Sequence, residues 1–368
     1  MERYVERVCG EIGVAREQAV RSGAELPGRV DTVYFGGGTP SLLSAAQMRQ
    51  LFTVLRGEFE VTVDAEVTIE CAPGQLGDES FDELLRLGMT RVSFGVQSFV
   101  DVEARAVGRL HTRETCLAEI ARMRSAGVAE INVDLIAGLP RQTAASWRES
   151  LEVALASKVP HVSVYMLEVD DESRLGRELL SHGKRYGAES VASEDETAER
   201  YAEACVRLEA GGARQYEISN FAREEVTGTD HRSQHNVKYW KREPYLGFGL
   251  DAHSMLRCSE SAVRWANSSE LENYLNFAAG EVERVGRERG FEEAMFLGLR
   301  MNEGVDLTAL AAEFGGMLIQ GAVEALKDVE EAGLAELTGS RVRLTDMGRM
   351  ASNEVFSRLL VVGCQSPV

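Results

Sequence analysis

An α/β fold built around a parallel sheet is predicted by three observations. Strand-like and helix-like segments alternate from about residue 31 to 167 with short connections, the pattern of strands joined by right-handed crossovers. The strands are rich in Val and Ile and nearly continuously apolar, as strands covered on both faces must be. Several of them run into Gly or Pro at the C-terminal end, where an α/β sheet carries its functional residues whether it is open or closed into a barrel. The period of the pattern does not separate those two forms.

The elements follow in order. Residues 1–23 read as one amphipathic helix, with Val5, Val8, Ile12 and Ala15 on a stripe. Residues 31–35 form a short strand stopped by Gly36-Gly37-Gly38. Ser44 and Gln47 make a capping box for a helix carrying Leu51, Phe52 and Leu55. Strands are expected at 65–70, 91–96, 131–136 and 161–167, and helices near 79–87, 112–125 and 143–157, the last capped by Thr143. Beyond 170 the chain turns polar and acidic, then enters a helix at about 194–210. Residues 213–260 read as loop-rich, with aromatics and histidines. Helices resume at about 268–280 and 290–301. Residues 305–360 read helix, helix, hairpin, helix, which is winged-helix-like.

The 368 residues suffice for two or three domains. Forty Lys and Arg against 59 Asp and Glu leave a net charge of −19, which argues against holding nucleic acid or an anionic membrane by general electrostatics. The two helices before the hairpin carry no basic stripe, against a DNA-binding role. No apolar run reaches the 18 or so residues of a membrane span, the N-terminus does not read as a signal peptide, and a cytoplasmic location is expected. The six cysteines, at 9, 71, 116, 205, 258 and 364, show no C-x-x-C spacing and read as reduced thiols.

Three groups of residues could carry chemistry. Gly36-Gly37-Gly38-Thr39-Pro40 lets a ligand approach the backbone closely, although a tight strand-to-helix turn accounts for it equally well. Glu70, Gln97 and Asp134, at or near successive strand ends, with Arg109 just after, could converge on a zwitterionic, hydroxyl-rich ligand. Arg109 would clamp a carboxylate, and Glu70 and Asp134 would take an ammonium or ribose hydroxyls. Pairing with core arginines or backbone amides is the plain alternative for each carboxylate. The third group is His235, Tyr239, Trp240 and His253, set among further aromatics and glycines. It could grip a flat aromatic ligand with an imidazole reaching a metal, or it could be ordinary loop packing.

These residues lie in motifs that keep one order: Gly-Gly-Gly-Thr-Pro, Thr68-Ile-Glu-Cys-Ala-Pro73, Val92-Ser-Phe-Gly-Val-Gln-Ser-Phe99, Val107-Gly-Arg-Leu-His111, Asp134-Leu-Ile-Ala-Gly-Leu-Pro140, Tyr216-Glu-Ile-Ser-Asn-Phe221 and His235-Asn-Val-Lys-Tyr-Trp240. The series resembles the radical S-adenosylmethionine (SAM) proteins related to oxygen-independent coproporphyrinogen III dehydrogenase, and within them the HemW-type heme chaperone branch. The resemblance covers nearly the whole chain. It implies a partial (β/α)6 barrel core over 1–170, barrel completion and a heme-binding segment over 171–285, and a winged-helix-like domain over 286–368. It implies that Gly36, Gly37, Gly38 and Thr39 hold the SAM amino group through the backbone. Glu70, Gln97, Arg109 and Asp134 would line the same site, and His235, Tyr239, Trp240 and His253 would take part in heme binding.

The sequence departs from that pattern in places. The family's C-x-x-x-C-x-x-C loop, which binds a [4Fe–4S] cluster through three thiolates, is absent, and with it the first barrel strand. A truncated start is the expectation, with an exposed edge beside residues 31–35. Leu250-Asp251 stands where the family has Pro-Gly, and Val169-Asp-Asp-Glu-Ser173 replaces Glu-Pro-Gly-Thr. The expected function is a heme chaperone that delivers heme to acceptor proteins, membrane respiratory proteins among the candidates. The alternative is coproporphyrinogen dehydrogenation, which needs the cluster cysteines.

Overall fold

A computed structural model describes residues 1–38, 40–170, 173–181, 183, 185–224, 228–259, 261–276 and 281–360. Thr39, Asp171, Glu172 and Cys364 lie outside the described residues. The strands are β1 (Arg29–Phe35), β2 (Glu60–Cys71), β3 (Arg91–Gln97), β4 (Glu130–Ala137), β5 (His161–Met166), β6 (Ala213–Gln215), β7 (Asn220–Arg223), β8 (His253–Arg257), β9 (Ala262–Ala266), β10 (Glu283–Val285), β11 (Val305–Asp306), β12 (Ala335–Thr338) and β13 (Arg341–Leu344). They form an α/β fold with a seven-stranded sheet in the order β1-β2-β3-β4-β5-β7-β6 and two three-stranded sheets. The chain divides into two compact units. One comprises Met1–Thr32, Ala46–Ala65 and Gln234–Val368, and the other Val33–Ala45 and Glu66–Ser233.

The second unit carries most of the large sheet, with residues 33–35 of β1 and 66–71 of β2. Strands β2 to β5 pair in parallel, as the alternation with helices requires. The sheet is not parallel throughout: β7 runs antiparallel to both β5 and β6. No crossover helix separates β6 from β7, only residues 216–219, and a short connection permits only an antiparallel return. The loop-rich expectation for 213–260 is corrected here, since it hides β6, β7 and β8. At three to five residues each, these strands offer too short a period to be read. Val92, Phe94 and Val96 of β3, and Ile131, Val133 and Leu135 of β4, are fully buried. Strand β1 ends the order on one side, and none of its residues is buried.

Helices cover the central strands. Thr143 caps the helix Ala144–Ser157 as predicted, accepting from the Ser146 amide in a capping box. Its Trp147 is fully buried and donates from Nε1 to the Arg200 carbonyl at 2.8 Å, tying this helix to the helix Glu194–Ala210. That second helix begins on a Ser193 capping box and matches the predicted span.

The first unit opens with two helices, Glu2–Gly13 and Ala15–Arg21, where a single helix over 1–23 was predicted. Val14 breaks the run at φ −106°, ψ 5°, directly after a glycine of low helix propensity. The helix expected at 268–280 is only Leu271–Leu275, and 277–280 lie outside the described residues. Ala19, Leu256, Val263 and Trp265 form one core cluster around β8 and β9. The C-terminal part has its own core, centred on Met295, Leu299, Val329, Val342 and Val355. It packs the helices Arg287–Leu299, Leu307–Phe314 and Gly316–Glu331 with a wing that is three-stranded, in the order β11-β13-β12. The predicted hairpin is β12–β13, and two-residue β11 is too short to announce itself in the sequence.

Candidate functional site

In the second unit, the C-terminal ends of β1 to β4 bring together the glycine turn and the predicted polar residues. Glu70, one residue from the end of β2, is held from two sides. Tyr34 Oη donates to its Oε1 at 2.8 Å and the Gly37 amide donates to its Oε2 at 3.1 Å. Gly36 has no room for a side chain: a Cβ there would lie 2.5 Å from Tyr34 Cε1 and 2.8 Å from the Glu70 carboxyl carbon. Gly37 takes φ +75°, in the left-handed region that glycine enters without steric cost. The triple glycine thus folds against a carboxylate. Tyr34 was not singled out from sequence, because a tyrosine inside a short apolar strand reads as core.

Gln97 ends β3 in a left-handed conformation, φ 65°, beside an irregularity in the β3–β4 register. A non-glycine residue held there stores backbone strain, and such strain collects at functional sites. A Cβ on Gly95 would stand 3.1 Å from Gln97 Nε2 and 3.6 Å from an Arg109 guanidinium nitrogen, so these two side chains share the space over that glycine. His111 is buried and donates from Nε2 to the Val96 carbonyl at 3.0 Å, and burial keeps its pKa below the usual value. It is a structural histidine.

Asp134 lies within β4. Ser93 Oγ donates to its Oδ2 at 3.1 Å and Asn132 Nδ2 to its Oδ1 at 2.7 Å. Burial pushes its carboxyl up to about 6, and the nearby Glu70 charge adds to the rise while the hydrogen bonds from Ser163, Ser93 and Asn132 oppose it. Burial, and the charges of Glu70 and Asp134, raise the pKa values of Tyr34 and Tyr165 and keep both phenols protonated. Two carboxylates, two phenols, an amide, a guanidinium and the glycine backbone can together hold a ligand that carries an ammonium, hydroxyls and a carboxylate.

In the first unit, His235 lies on the helix Gln234–Trp240, none of whose residues is fully buried. Its Nδ1 is 2.9 Å from Thr32 Oγ1. Its ring meets Tyr239 edge-on at 5.1 Å, and Tyr239 meets Tyr245 at 4.6 Å. Trp240 carries the Arg300 guanidinium over its face at 4.3 Å and lines a pocket of about 160 Å³ with Arg242, Arg257 and Met301. That volume is below the roughly 300 Å³ at which small-molecule sites begin. His253 is exposed on the first residue of β8. His235 and Tyr239 are therefore in contact, while Trp240 is engaged by Arg300.

The loop before β8 explains one departure. Asp251 takes φ 57°, which glycine adopts freely and Asp tolerates better than most residues. The preceding Gly249 is held by the buried Glu11, whose Oε2 accepts from its amide at 3.0 Å and from Tyr274 Oη at 2.8 Å. Asp251→Ala is expected to lower stability by about 1 kcal/mol, and Asp251→Gly to leave it level or raise it. Thermal denaturation of the two variants checks this, and equal melting of both would show that the turn does not depend on the left-handed residue.

Comparison with known proteins gives consistent matches. The model of the radical SAM superfamily matches residues 15–154, and that of the HemN C-terminal domain matches residues 287–351. The heme chaperone HemW of Bacillus subtilis (strain 168) is 33% identical over 336 residues, covering 89% of this chain and 85% of that protein. The HemW of Lactococcus lactis subsp. lactis (strain IL1403) is 32% identical, covering 90% and 85%. Among solved structures, the coproporphyrinogen III oxidase HemN of Escherichia coli superposes with a TM-score of 0.77 at 21% identity, covering 97% of this chain and 82% of that one, which shows a shared fold. With a third of the aligned residues identical to HemW across most of both lengths, and a radical SAM core followed by a HemN-type C-terminal domain, the chain belongs to the HemW heme-chaperone family of radical SAM proteins.

Proposed function

We propose that this protein carries heme as cargo and hands it to acceptor proteins, and that it binds SAM at the strand ends of its second unit. The observation that supports this reading most is the similarity to HemW chaperones over 85% of their length. The Gly36–Gly38 backbone takes the SAM amino group beside Glu70, Arg109 takes its carboxylate, and Gln97 and Asp134 serve the ribose hydroxyls. Thr39 is assigned to the same turn by resemblance. His235, with Tyr239 stacked against it, is the first candidate to meet the heme iron, with Trp240 and His253 as weaker participants. The cytoplasm is the expected compartment, and among the described residues no helix is long and apolar enough to cross a membrane.

The cysteines of this sequence do not fit a three-thiolate cluster site. No two stand at the required spacing, and in the metal-free protein burial pushes Cys71 up to about 11 and Cys116 up to about 12. Among the described residues, no group of three or more His, Cys, Asp or Glu is gathered to hold a metal. These side chains support no step through a cluster. The chaperone reading is preferred to the dehydrogenase alternative because the HemW chaperone matches at 33% identity over most of both lengths, whereas the HemN match, at 21% identity, speaks for the fold.

Heme titration followed by the visible spectrum tests the proposal. The wild-type protein is expected to give a saturable Soret shift, and His235→Ala to weaken binding by at least about tenfold, or 1.4 kcal/mol. Equal binding by the variant removes His235 as a ligand, and no saturable binding by the wild type removes the cargo reading.

A further inference from the structure

We propose that Asn132, held in place by His161 and Tyr216, is a positioning residue that fixes the Asp134 carboxylate for a ligand's ribose hydroxyls. The inference rests on the reading of Asp134 as part of the SAM site.

Asn132 lies two residues before Asp134 on β4, so both side chains project from the same face. It is buried, at 6% exposure. Its amide has two unlike ends, and the carboxylate it meets accepts only one of them. Nδ2 faces Asp134 Oδ1 at 2.7 Å, and a carboxylate can only accept. Oδ1 faces His161 Nδ1 at 2.6 Å, so that nitrogen must donate. His161 is 2% exposed, and burial together with the nearby Arg91 and His231 holds its pKa well below the usual value. A neutral imidazole has one proton. With that proton on Nδ1, Nε2 must accept, and Tyr216 Oη donates to it at 2.9 Å.

The chain of hydrogen bonds therefore has one sense: Tyr216 to His161, His161 to Asn132, Asn132 to Asp134. Reversing the asparagine would set its carbonyl against the carboxylate and break the buried bond that Asp134 accepts, so the carboxylate fixes the sense of the chain. Ser93 Oγ donates to the other carboxylate oxygen at 3.1 Å. Asn132, Ser93 and Ser163 together hold the carboxylate in place and leave its remaining acceptor capacity for the ligand. The charged groups around Asp134 do not offer a substitute. Glu70 repels it, and Tyr34 and Tyr165, both protonated, carry no positive charge.

A donor to the ionised carboxylate favours the ionised form. Removing the Asn132 donor thus raises the Asp134 pKa further from its value of about 6. Affinity for a hydroxyl-donating ligand falls as pH drops through that pKa, so the midpoint of the fall moves to higher pH in the variant. A residue with a merely structural role changes melting without moving that midpoint.

The test is calorimetric titration of the full chain with S-adenosylhomocysteine from pH 5 to 8.5, using wild type, Asp134→Asn, Asn132→Leu and Tyr216→Phe, with thermal melting of each. Asp134→Asn is expected to bind weakly with a flat profile. Asn132→Leu is expected to lose about tenfold or more in affinity and to move the acid midpoint upward. Tyr216→Phe, which keeps the ring and removes one hydroxyl, is expected to shift the midpoint in the same direction by less, and it decides the matter if Asn132→Leu does not fold. If Asp134→Asn weakens binding while Asn132→Leu and Tyr216→Phe keep the wild-type affinity and midpoint, the positioning role is overturned and the site reading stands. If the wild type does not bind S-adenosylhomocysteine, or Asp134→Asn binds as well as wild type, the site reading fails and the inference fails with it.

Discussion

Arg91→Met is expected to destabilise the protein by about 3–5 kcal/mol, the usual cost of leaving buried charges without their partner. Arg91 is 2% exposed at the first residue of β3. Its Nε donates to Glu66 Oε2 at 2.9 Å, and a terminal nitrogen meets Glu130 Oε2 at 3.2 Å and the His231 carbonyl at 3.0 Å. Glu130 also accepts from His231 Nδ1 at 2.8 Å. One guanidinium thus joins β2, β3, β4 and the segment around His231. Methionine fills similar volume but supplies no donor and no charge, so Glu66 stays buried without the guanidinium that balances it. Denaturant unfolding followed by circular dichroism gives the measurement. Adding Glu66→Gln to the variant is expected to restore part of the loss, because it removes the buried negative charge. Arg91 stands at the N-terminal end of its strand and Gln97 at the C-terminal end. Stability and ligand binding separate along a strand in this way in β/α folds, so ligand affinity in the folded fraction is expected to persist. An unchanged unfolding midpoint would show that the cluster is not a keystone.

Gly36→Ala is expected to reduce S-adenosylhomocysteine affinity by at least about tenfold, or 1.4 kcal/mol, while lowering the melting temperature only slightly. The added methyl group would fall 2.5 Å from Tyr34 Cε1 and 2.8 Å from Glu70 Oε1. Contacts under 3 Å force a neighbour to move, and both neighbours are partners in the 2.8 Å Tyr34–Glu70 hydrogen bond. The substitution therefore dislodges the carboxylate assigned to the ligand's ammonium. Gly38→Ala is the informative comparison, because a Cβ there meets nothing within 4 Å among the described residues, and its effect is expected to be the smaller. Equal losses at the two positions would show that backbone freedom, and not the room beside Glu70, governs the turn. Retained affinity in Gly36→Ala would detach the glycine turn from the ligand.

The sequence alone determined the α/β class, four of the parallel strands, the helix capped by Thr143, the helix at about 194–210, and the winged C-terminal part. Those features are local: apolar runs, stop residues and caps are written in neighbouring positions. It also picked out Glu70, Gln97, Arg109 and Asp134, because polar residues at the ends of apolar strands contradict their surroundings. Tertiary structure decided what each of these residues touches. Tyr34 on Glu70, Asn132 on Asp134 and the Tyr216–His161 relay join residues 36, 2 and 55 positions apart, and a tyrosine or histidine in an apolar strand looks like core until its hydroxyl or ring nitrogen finds a partner. The antiparallel return of β7 and the strand β11 were likewise decided by packing, because strands of four residues or fewer carry too little periodicity to declare themselves. The left-handed backbone of Gln97 and Asp251 was invisible for a related reason: it is imposed by the chain on either side, and the residue itself only permits it.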